Sequence, residues 1–219
     1  MTVVARRALI FAALFAWCGF LLAGRVYRSG TLAYTFLVWN LFLAMLPAVF
    51  GVLFARATQR GSFAIVRAIW FVLWLLFLPN APYIVTDFIH LTAMPRVPLW
   101  FDIALLLSFA GTGLLLGYSS VADVQGAIAL RFGRAVGWCV AFLAVLLSGF
   151  GIYLGRFLRW NSWDAFTDPF DMATYIARHS LHPLAHERSV AVTLVYGVGL
   201  ALGYVAYQLP RLRMNMQSP

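Results

Sequence analysis

The chain is organised around residues 77–91, which read FLPNAPYIVTDFIHL. Pro79 and Pro82 bracket Asn80-Ala81, and each proline lacks a backbone donor and disfavours helical geometry at the residue before it. The apolar helix that precedes this stretch is therefore predicted to end near Leu78. At membrane depth an irregular backbone is tolerated only inside protein or beside water, so the break is expected to be packed or wet and not to face lipid.

A short helix is predicted from Pro82 onward, since proline suits the first turn of a helix. Tyr83, Asp87 and His90 would share one of its faces, at positions i, i+4 and i+7. This polar stripe leaves two interpretations open. Either it binds a metal, a proton or a polar ligand, with Asp87 and His90 as candidate metal ligands that need further partners, or Asp87 pairs with an arginine and the stretch holds a re-entrant corner in place.

The central stretch resembles the signature of the bacterial membrane family called domain of unknown function 1361. The resemblance rests first on Leu78-Pro79-Asn80-Ala81-Pro82-Tyr83, Thr86-Asp87 and His90-Leu91. Two later segments agree with it, PLWFD at 98–102 and GRFLRWNSWD at 155–164. The resemblance covers most of the chain, and it implies an integral membrane protein without a settled activity.

The composition excludes an ordinary soluble domain, because 63% of the 219 residues are hydrophobic and the mean hydropathy is +0.86. The net charge is +9 and every basic residue is arginine. These arginines flank apolar runs, which is typical of a protein whose partner is the lipid bilayer. Nucleic acid is not expected as a partner, since no recognition motif accompanies the charge. The sequence leaves cofactors and protein partners unknown.

The predicted fold is an all-α, polytopic transmembrane helix bundle of about six spans in a single domain over residues 1–219. The predicted spans are about 8–23, 32–54, 64–78, 100–120, 135–154 and 190–209. The proline-broken segment follows the third span. A short surface helix is expected between spans five and six, where Asp168-Pro169 supplies an N-cap and a first-turn proline.

Six spans place both termini on one side of the membrane. More than half of the arginines lie on that side, and Asp123 is the one acidic residue assigned to it. We therefore expect cytoplasmic termini and a multi-pass protein of the bacterial inner membrane.

Glycine spacing predicts which spans pack closely. The pattern G-x-G-x-x-x-G occurs at 111–117, 149–155 and 197–203. Glycines four residues apart let helix backbones approach each other, so spans four, five and six are expected to pack together.

With this topology the central stretch and the polar cluster at 156–164 lie on the same, outer face. We expect Asp87 and His90 to meet Arg156 or Arg159 there, either in an Arg–Asp network or around an anion such as a lipid phosphate. Asp102 either joins them or simply stabilises the first turn of its helix through the dipole. The candidate polar site comprises Asn80, Tyr83, Asp87, His90, Asp102, Arg156, Arg159, Asn161 and Asp164.

Three histidines, at 179, 182 and 186, have spacings that suit one helix face. Pro183 interrupts that helix. A metal cluster and a solvated connector therefore both remain open for this segment.

Three classes of function remain open. A small transporter or channel component fits a broken helix beside polar groups. A membrane-embedded enzyme acting on a lipid or lipid-linked phosphate would use Asp87 or His90 as base or metal ligand, with Arg156 and Arg159 on the phosphate. A structural or assembly subunit would use the polar cluster only for folding. No known catalytic motif is present, so the sequence does not decide whether the protein is an enzyme.

Overall fold

A computed structural model of the protein describes residues 3–92, 96–181 and 187–217, and side chains are described for all of these except residues 3, 178–181 and 211–217. A 3₁₀ helix, Ile84–His90, lies between the fourth and fifth α-helices. The α-helices are α1 (Val3–Ser29), α2 (Phe36–Gln59), α3 (Ala64–Phe77), α4 (Asn80–Tyr83), α5 (Leu99–Phe132), α6 (Arg134–Phe157), α7 (Asp164–Thr167), α8 (Pro169–Leu181) and α9 (Glu187–Gln217).

Six helical segments of the described chain are long and apolar enough to cross a membrane. They are α1, α2, the stretch Ala64–His90, α5, α6 and α9. Large apolar side chains such as Phe20 and Leu143 are exposed on the outside of these helices, as expected for surfaces that meet lipid. The predicted polytopic helix bundle is therefore confirmed.

The third crossing depends on the broken segment. α3 has 14 residues, or about 21 Å at 1.5 Å per residue, which is too short for a hydrocarbon core about 30 Å thick. The chain continues in a helical path through α4 and the 3₁₀ helix, so that Ala64–His90 crosses as one unit. The helix predicted from Pro82 is therefore corrected: one α-turn begins at Asn80 and a 3₁₀ helix begins at Ile84.

The broken segment is packed inside the bundle, as one of the two sequence expectations stated. Ala81 and Ile84 are completely buried, and α4 contacts α2, α5 and α6. Glycines make this possible. A Cβ on Gly113 would lie 2.5 Å from the Ala81 carbonyl oxygen, and one on Gly151 would overlap Pro79.

The glycine pattern therefore has two uses in the structure. In α6 and α9, Gly149 lies against the Thr193 backbone and Gly197 lies against Leu146, which is the close helix pairing that the spacing predicted. Gly113 of α5 and Gly151 of α6 instead leave room for the proline-broken segment. Glycine spacing alone did not distinguish helix pairing from room for the broken segment, because a glycine allows close approach of either one.

α5 continues to Phe132, beyond the span end expected at 120, and α6 follows directly after Gly133. The sharp reversal uses the positive φ of Gly133 (94°). Polar residues in the extension are satisfied by other helices. Arg7 Nη1 lies 2.7 Å from Asp123 Oδ2, and Gln208 Nε2 donates to Gln125 Oε1 at 3.0 Å, so the helix has no need to end where polarity begins.

Candidate functional site

An ion pair joins α6 to the 3₁₀ helix. Arg156 Nη2 lies 2.5 Å from Asp87 Oδ1, with side-chain exposures of 15% and 2%. Asn40 of α2 donates through Nδ2 to Asp87 Oδ2 at 2.8 Å. The structure thus places Asp87 beside Arg156. One carboxylate oxygen of Asp87 binds α6 and the other binds α2. An ion pair this well enclosed requires such additional hydrogen bonds to offset the cost of desolvation.

Arg156 makes three further contacts, all to the same turn region. Its Nε donates to Thr86 Oγ1 at 2.8 Å, and Nη2 bonds to the same hydroxyl. Its guanidinium carbon lies 4.6 Å from the centre of the Tyr83 ring, within the range of a cation–π contact. His90 Nε2 is 3.4 Å from Nη1. Of the predicted site residues, Tyr83, Asp87, His90 and Arg156 are therefore together.

His90 is exposed, and its carbonyl oxygen accepts a hydrogen bond of 2.8 Å from the Tyr34 hydroxyl. Burial is the main cause that raises the pKa of the Tyr34 hydroxyl above its ordinary value, so this group stays a donor at neutral pH. Tyr34 is the loop residue that connects the start of α2 to the end of the 3₁₀ helix.

The candidate metal ligands Asp87 and His90 both contact the Arg156 guanidinium. A cation bound between them would lie next to that positive charge, which opposes its binding. Within residues 3–92, 96–181 and 187–217, no group of three or more His, Cys, Asp or Glu side chains is arranged to hold a metal ion. Of the histidine segment, residues 182 and 186 and the side chain of residue 179 lie outside the described residues. The metal hypothesis stays a prediction.

Asp102 does not join this cluster; it pairs with Arg25 of α1. Arg25 Nε donates to Asp102 Oδ1 at 3.2 Å, and the two side chains are 0% and 1% exposed. Arg25 also donates to Ser29 and Thr31 and lies 4.7 Å from the centre of the Tyr34 ring. Asp102 is in the first turn of α5, where the dipole interpretation expected it, but its main partner is an arginine that the sequence analysis left out of the site.

Asp164 and Arg159 also differ from the expected network. Asp164 Oδ2 accepts a hydrogen bond of 2.6 Å from the backbone N–H of Asn161, so it closes a local turn instead of binding an arginine. Arg159 is exposed, has a φ of +60°, and makes no hydrogen bond or ion pair to a described residue. This left-handed residue follows the end of α6 at Phe157.

Asn80 ties the proline break to the segment after α6. Its Nδ2 donates to the Phe77 carbonyl at 2.9 Å and to Ser162 Oγ at 2.8 Å. Ser162 Oγ in turn donates to the Leu76 carbonyl at 3.0 Å. Carbonyl groups at the end of α3 thereby obtain side-chain hydrogen-bond donors at the point where the regular helix ends.

A cavity of about 490 Å³ lies beside this network, between α3 and α6, and is partly open. Its wall is apolar, with α3 and α6 contributing most of it and α8 closing part of one side. Polar side chains gather at one end. The wall includes Phe71, Val72, Leu75, Leu147, Phe150, Leu154, Met172 and Ile176, and the polar end has Asn40, Asn80, Tyr83, Asn161 and Ser162.

Two residues connect the ion pair to the cavity. Asn40 and Tyr83 line the cavity, and each also contacts the Asp87–Arg156 pair. The pair therefore positions the polar end of the cavity without lining it. Sequence reasoning did not include Asn40, Thr86 or Ser162 in the candidate site. The available signal was weak: a lone amide in an apolar span, and two hydroxyls inside the segments that carry the family resemblance.

The comparison with known proteins assigns the chain to a family. Residues 39–202 match the family described as "Protein of unknown function (DUF1361)". The match spans well over half of the chain, so the protein belongs to this family, as its motifs predicted. It includes the proline break, Asp87 and Arg156 but not α1. Neither the curated proteins nor the solved structures give a match.

Proposed function

We propose that this DUF1361 protein binds one amphipathic lipid molecule from the bilayer. The hydrocarbon part lies between α3 and α6, and the polar part lies against Asn40, Asn80 and Tyr83. The observation that carries the proposal is a single cavity of about 490 Å³ with an apolar wall and one polar end. This size is within the range of small-molecule sites, roughly 300–1,000 Å³.

The rim of the cavity favours a lipid over a water-soluble ligand. Among the lining residues, Val72 on α3 and Leu147 on α6 are 58% and 44% exposed, and Trp39 is 54% exposed. In a membrane-spanning protein, exposed apolar side chains at the middle of a helix meet acyl chains. A molecule entering between α3 and α6 therefore comes from the hydrocarbon of the bilayer.

The Asp87–Arg156 pair has a supporting role in this proposal. It fixes Asn40 through a hydrogen bond and Tyr83 through its ring, so both present a constant geometry to the ligand. The two charges neutralise each other, and their hydrogen bonds hold them in place. A lipid that approaches the cavity meets an ordered polar end instead of mobile charges.

Of the three function classes, a lipid site agrees best with the one that acts on a lipid. A lipid site serves either a protein that carries or presents lipid or an enzyme that acts on it, and no catalytic step is proposed. The small-solute transporter or channel and the purely structural subunit remain predictions. So do the outer-face position of the site, the cytoplasmic termini and the inner-membrane location, which rest on the arginine distribution.

The test is to fill the cavity. Leu147→Trp places a larger ring in the wall between α3 and α6, and labelling of the purified protein by a photoactivatable diacyl lipid is expected to fall at least severalfold. Leu143→Trp is the matched control, since Leu143 is one turn earlier on α6, is 59% exposed and does not line the cavity.

The control is expected to label like the wild type, and both variants are expected to keep the wild-type unfolding temperature in detergent. Equal labelling of Leu147→Trp and wild type, in protein that unfolds normally, would overturn the proposal.

A further inference from the structure

The hydrogen bonds already made by Asn80 determine what it offers to a ligand. Both of its N–H groups are used, one by the Phe77 carbonyl and one by Ser162 Oγ. A carbonyl oxygen only accepts hydrogen bonds, so the nitrogen of this amide must point to it. The amide oxygen of Asn80 is left without a described partner, and it is not completely buried. Asn80 therefore offers the cavity an acceptor.

Asn40 and Ser162 follow the same logic. Asn40 donates through Nδ2 to Asp87 Oδ2, so its amide oxygen has no partner among the described residues. Ser162 gives its one hydroxyl proton to the Leu76 carbonyl and accepts from Asn80. The lone pair that remains on Ser162 can only accept. Three neighbouring groups of the cavity thus present oxygen acceptors.

Tyr83 supplies the complementary group. Its ring is held under Arg156, but its hydroxyl makes no hydrogen bond to any residue within the described ranges. Tyr83 lines the cavity, and a phenol hydroxyl is able to donate or to accept. One N–H of Asn40 also remains for donation.

Charge is missing from this set, since none of the described residues that line the cavity is ionisable at neutral pH. A phosphate would face three acceptor oxygens without a cation inside the cavity, which costs free energy on desolvation. An ammonium group would likewise meet no counter-charge among these lining residues to offset its desolvation. A hydroxyl group meets neither penalty, because it donates to an amide oxygen and accepts from a phenol.

We infer that the lipid bound in this cavity has an uncharged headgroup that carries hydroxyl groups. The glycerol of a diacylglycerol and the sugar of a glycosyl diacylglycerol share this chemistry. The inference rests on the proposed function, and it replaces the lipid phosphate of the sequence analysis as the chemistry that this cavity selects.

Competition experiments test the headgroup. The photoactivatable diacyl lipid is bound to the full-length protein in nanodiscs and is displaced by diacylglycerol, glucosyl diacylglycerol or phosphatidic acid with identical acyl chains. Both hydroxyl lipids are expected to compete at least tenfold better than phosphatidic acid, and the better of the two identifies the source of the hydroxyls.

Stronger competition by phosphatidic acid, lost in Arg159→Ala, would overturn the inference while leaving the lipid cavity intact. Failure of all three lipids, together with normal labelling of Leu147→Trp, would overturn the proposed function itself. The two failures are therefore distinguishable.

A single-atom change tests the same inference independently. Tyr83→Phe removes a hydroxyl that has no described protein partner and keeps the ring under Arg156. The apparent affinity for the hydroxyl lipids is expected to fall about three- to tenfold, the effect of one hydrogen bond. Tyr27→Phe, at a residue 89% exposed, is the control and is expected to bind like the wild type. An unchanged affinity in Tyr83→Phe would count against the assignment.

Discussion

Two arginine–aspartate pairs of this protein have nearly the same construction. In each, an arginine near the end of a membrane helix reaches a carboxylate on another element, Arg25 to Asp102 and Arg156 to Asp87. Each guanidinium also lies over a tyrosine ring, at 4.7 Å in the first pair and 4.6 Å in the second. In both pairs the guanidinium also donates to hydroxyl groups, those of Ser29 and Thr31 in the first pair and that of Thr86 in the second.

The pairs differ in access. Arg25 and Asp102 are 0% and 1% exposed, whereas Arg156 is 15% exposed and contacts the exposed ring of His90. The second pair touches Asn40 and Tyr83, which line the cavity. The same chemistry therefore closes one part of the bundle and supports a binding site in another, and the surroundings of the pair make the difference.

The largest expected effect is at the enclosed pair. Asp102→Ala leaves the Arg25 guanidinium buried without its carboxylate, and breaking a buried pair in this way costs about 3–5 kcal/mol of folding free energy. Denaturant titration of the purified protein in detergent measures it. Asp171→Ala, at an exposed carboxylate of α8, is the control and is expected to change the unfolding free energy by less than about 0.5 kcal/mol.

The double variant Arg25→Met/Asp102→Leu sharpens the comparison. Because it leaves no unpaired charge, it is expected to recover most of the lost stability. If Asp102→Ala alone were as stable as the wild type, Arg25 would have to find another partner or reach water.

A smaller loss is expected at the pair beside the cavity. Asp87→Ala frees Arg156, which keeps its hydrogen bonds to Thr86 and its partial exposure, so the cost should be about 1–3 kcal/mol. The same variant is expected to weaken lipid labelling, because Asn40 loses its partner at the polar end. A cost equal to that of Asp102→Ala would remove the distinction between the two pairs.

The smallest effect concerns the residue that connects the two pairs. Tyr34 lies under Arg25 and donates to the His90 carbonyl. Tyr34→Phe keeps the ring and removes the donor, so the unfolding free energy should fall by about 0.5–1.5 kcal/mol. Tyr27→Phe, at an exposed position, again provides the matched control, and a change of equal size there would contradict the role given to Tyr34.

The difference in unfolding free energy between the wild type and Tyr34→Phe depends on pH with a definite sign. Burial raises the pKa of the Tyr34 hydroxyl in the folded protein, so the unfolded chain loses this proton first. The stability due to the protonated phenol is present below the ordinary pKa of about 10 and declines as the pH rises above it. Wild type and Tyr34→Phe are therefore expected to converge in stability above pH 10, and a growing difference would refute this assignment.

Part of the site was predictable because it depends on local rules. The two prolines and the polar stripe at Tyr83, Asp87 and His90 followed from residue type and spacing. Topology reduced the partner to Arg156 or Arg159, and only the structure chose Arg156. Asp102 and Asp164 have partners outside the expected network for one reason. Each carboxylate found a better-placed donor, Arg25 in the first case and the Asn161 backbone in the second, and no spacing rule ranks such competing donors.

The sequence by itself determined the six apolar crossings and the break in the third, because hydropathy and the missing N–H of proline act within one segment. Tertiary structure decided which charges pair and where a cavity remains. Asp87 and Arg156 are 69 residues apart and Arg25 and Asp102 are 77 apart, so each contact depends on how whole helices pack. The cavity between α3 and α6 arises in the same way, from space that two separately encoded helices leave unfilled.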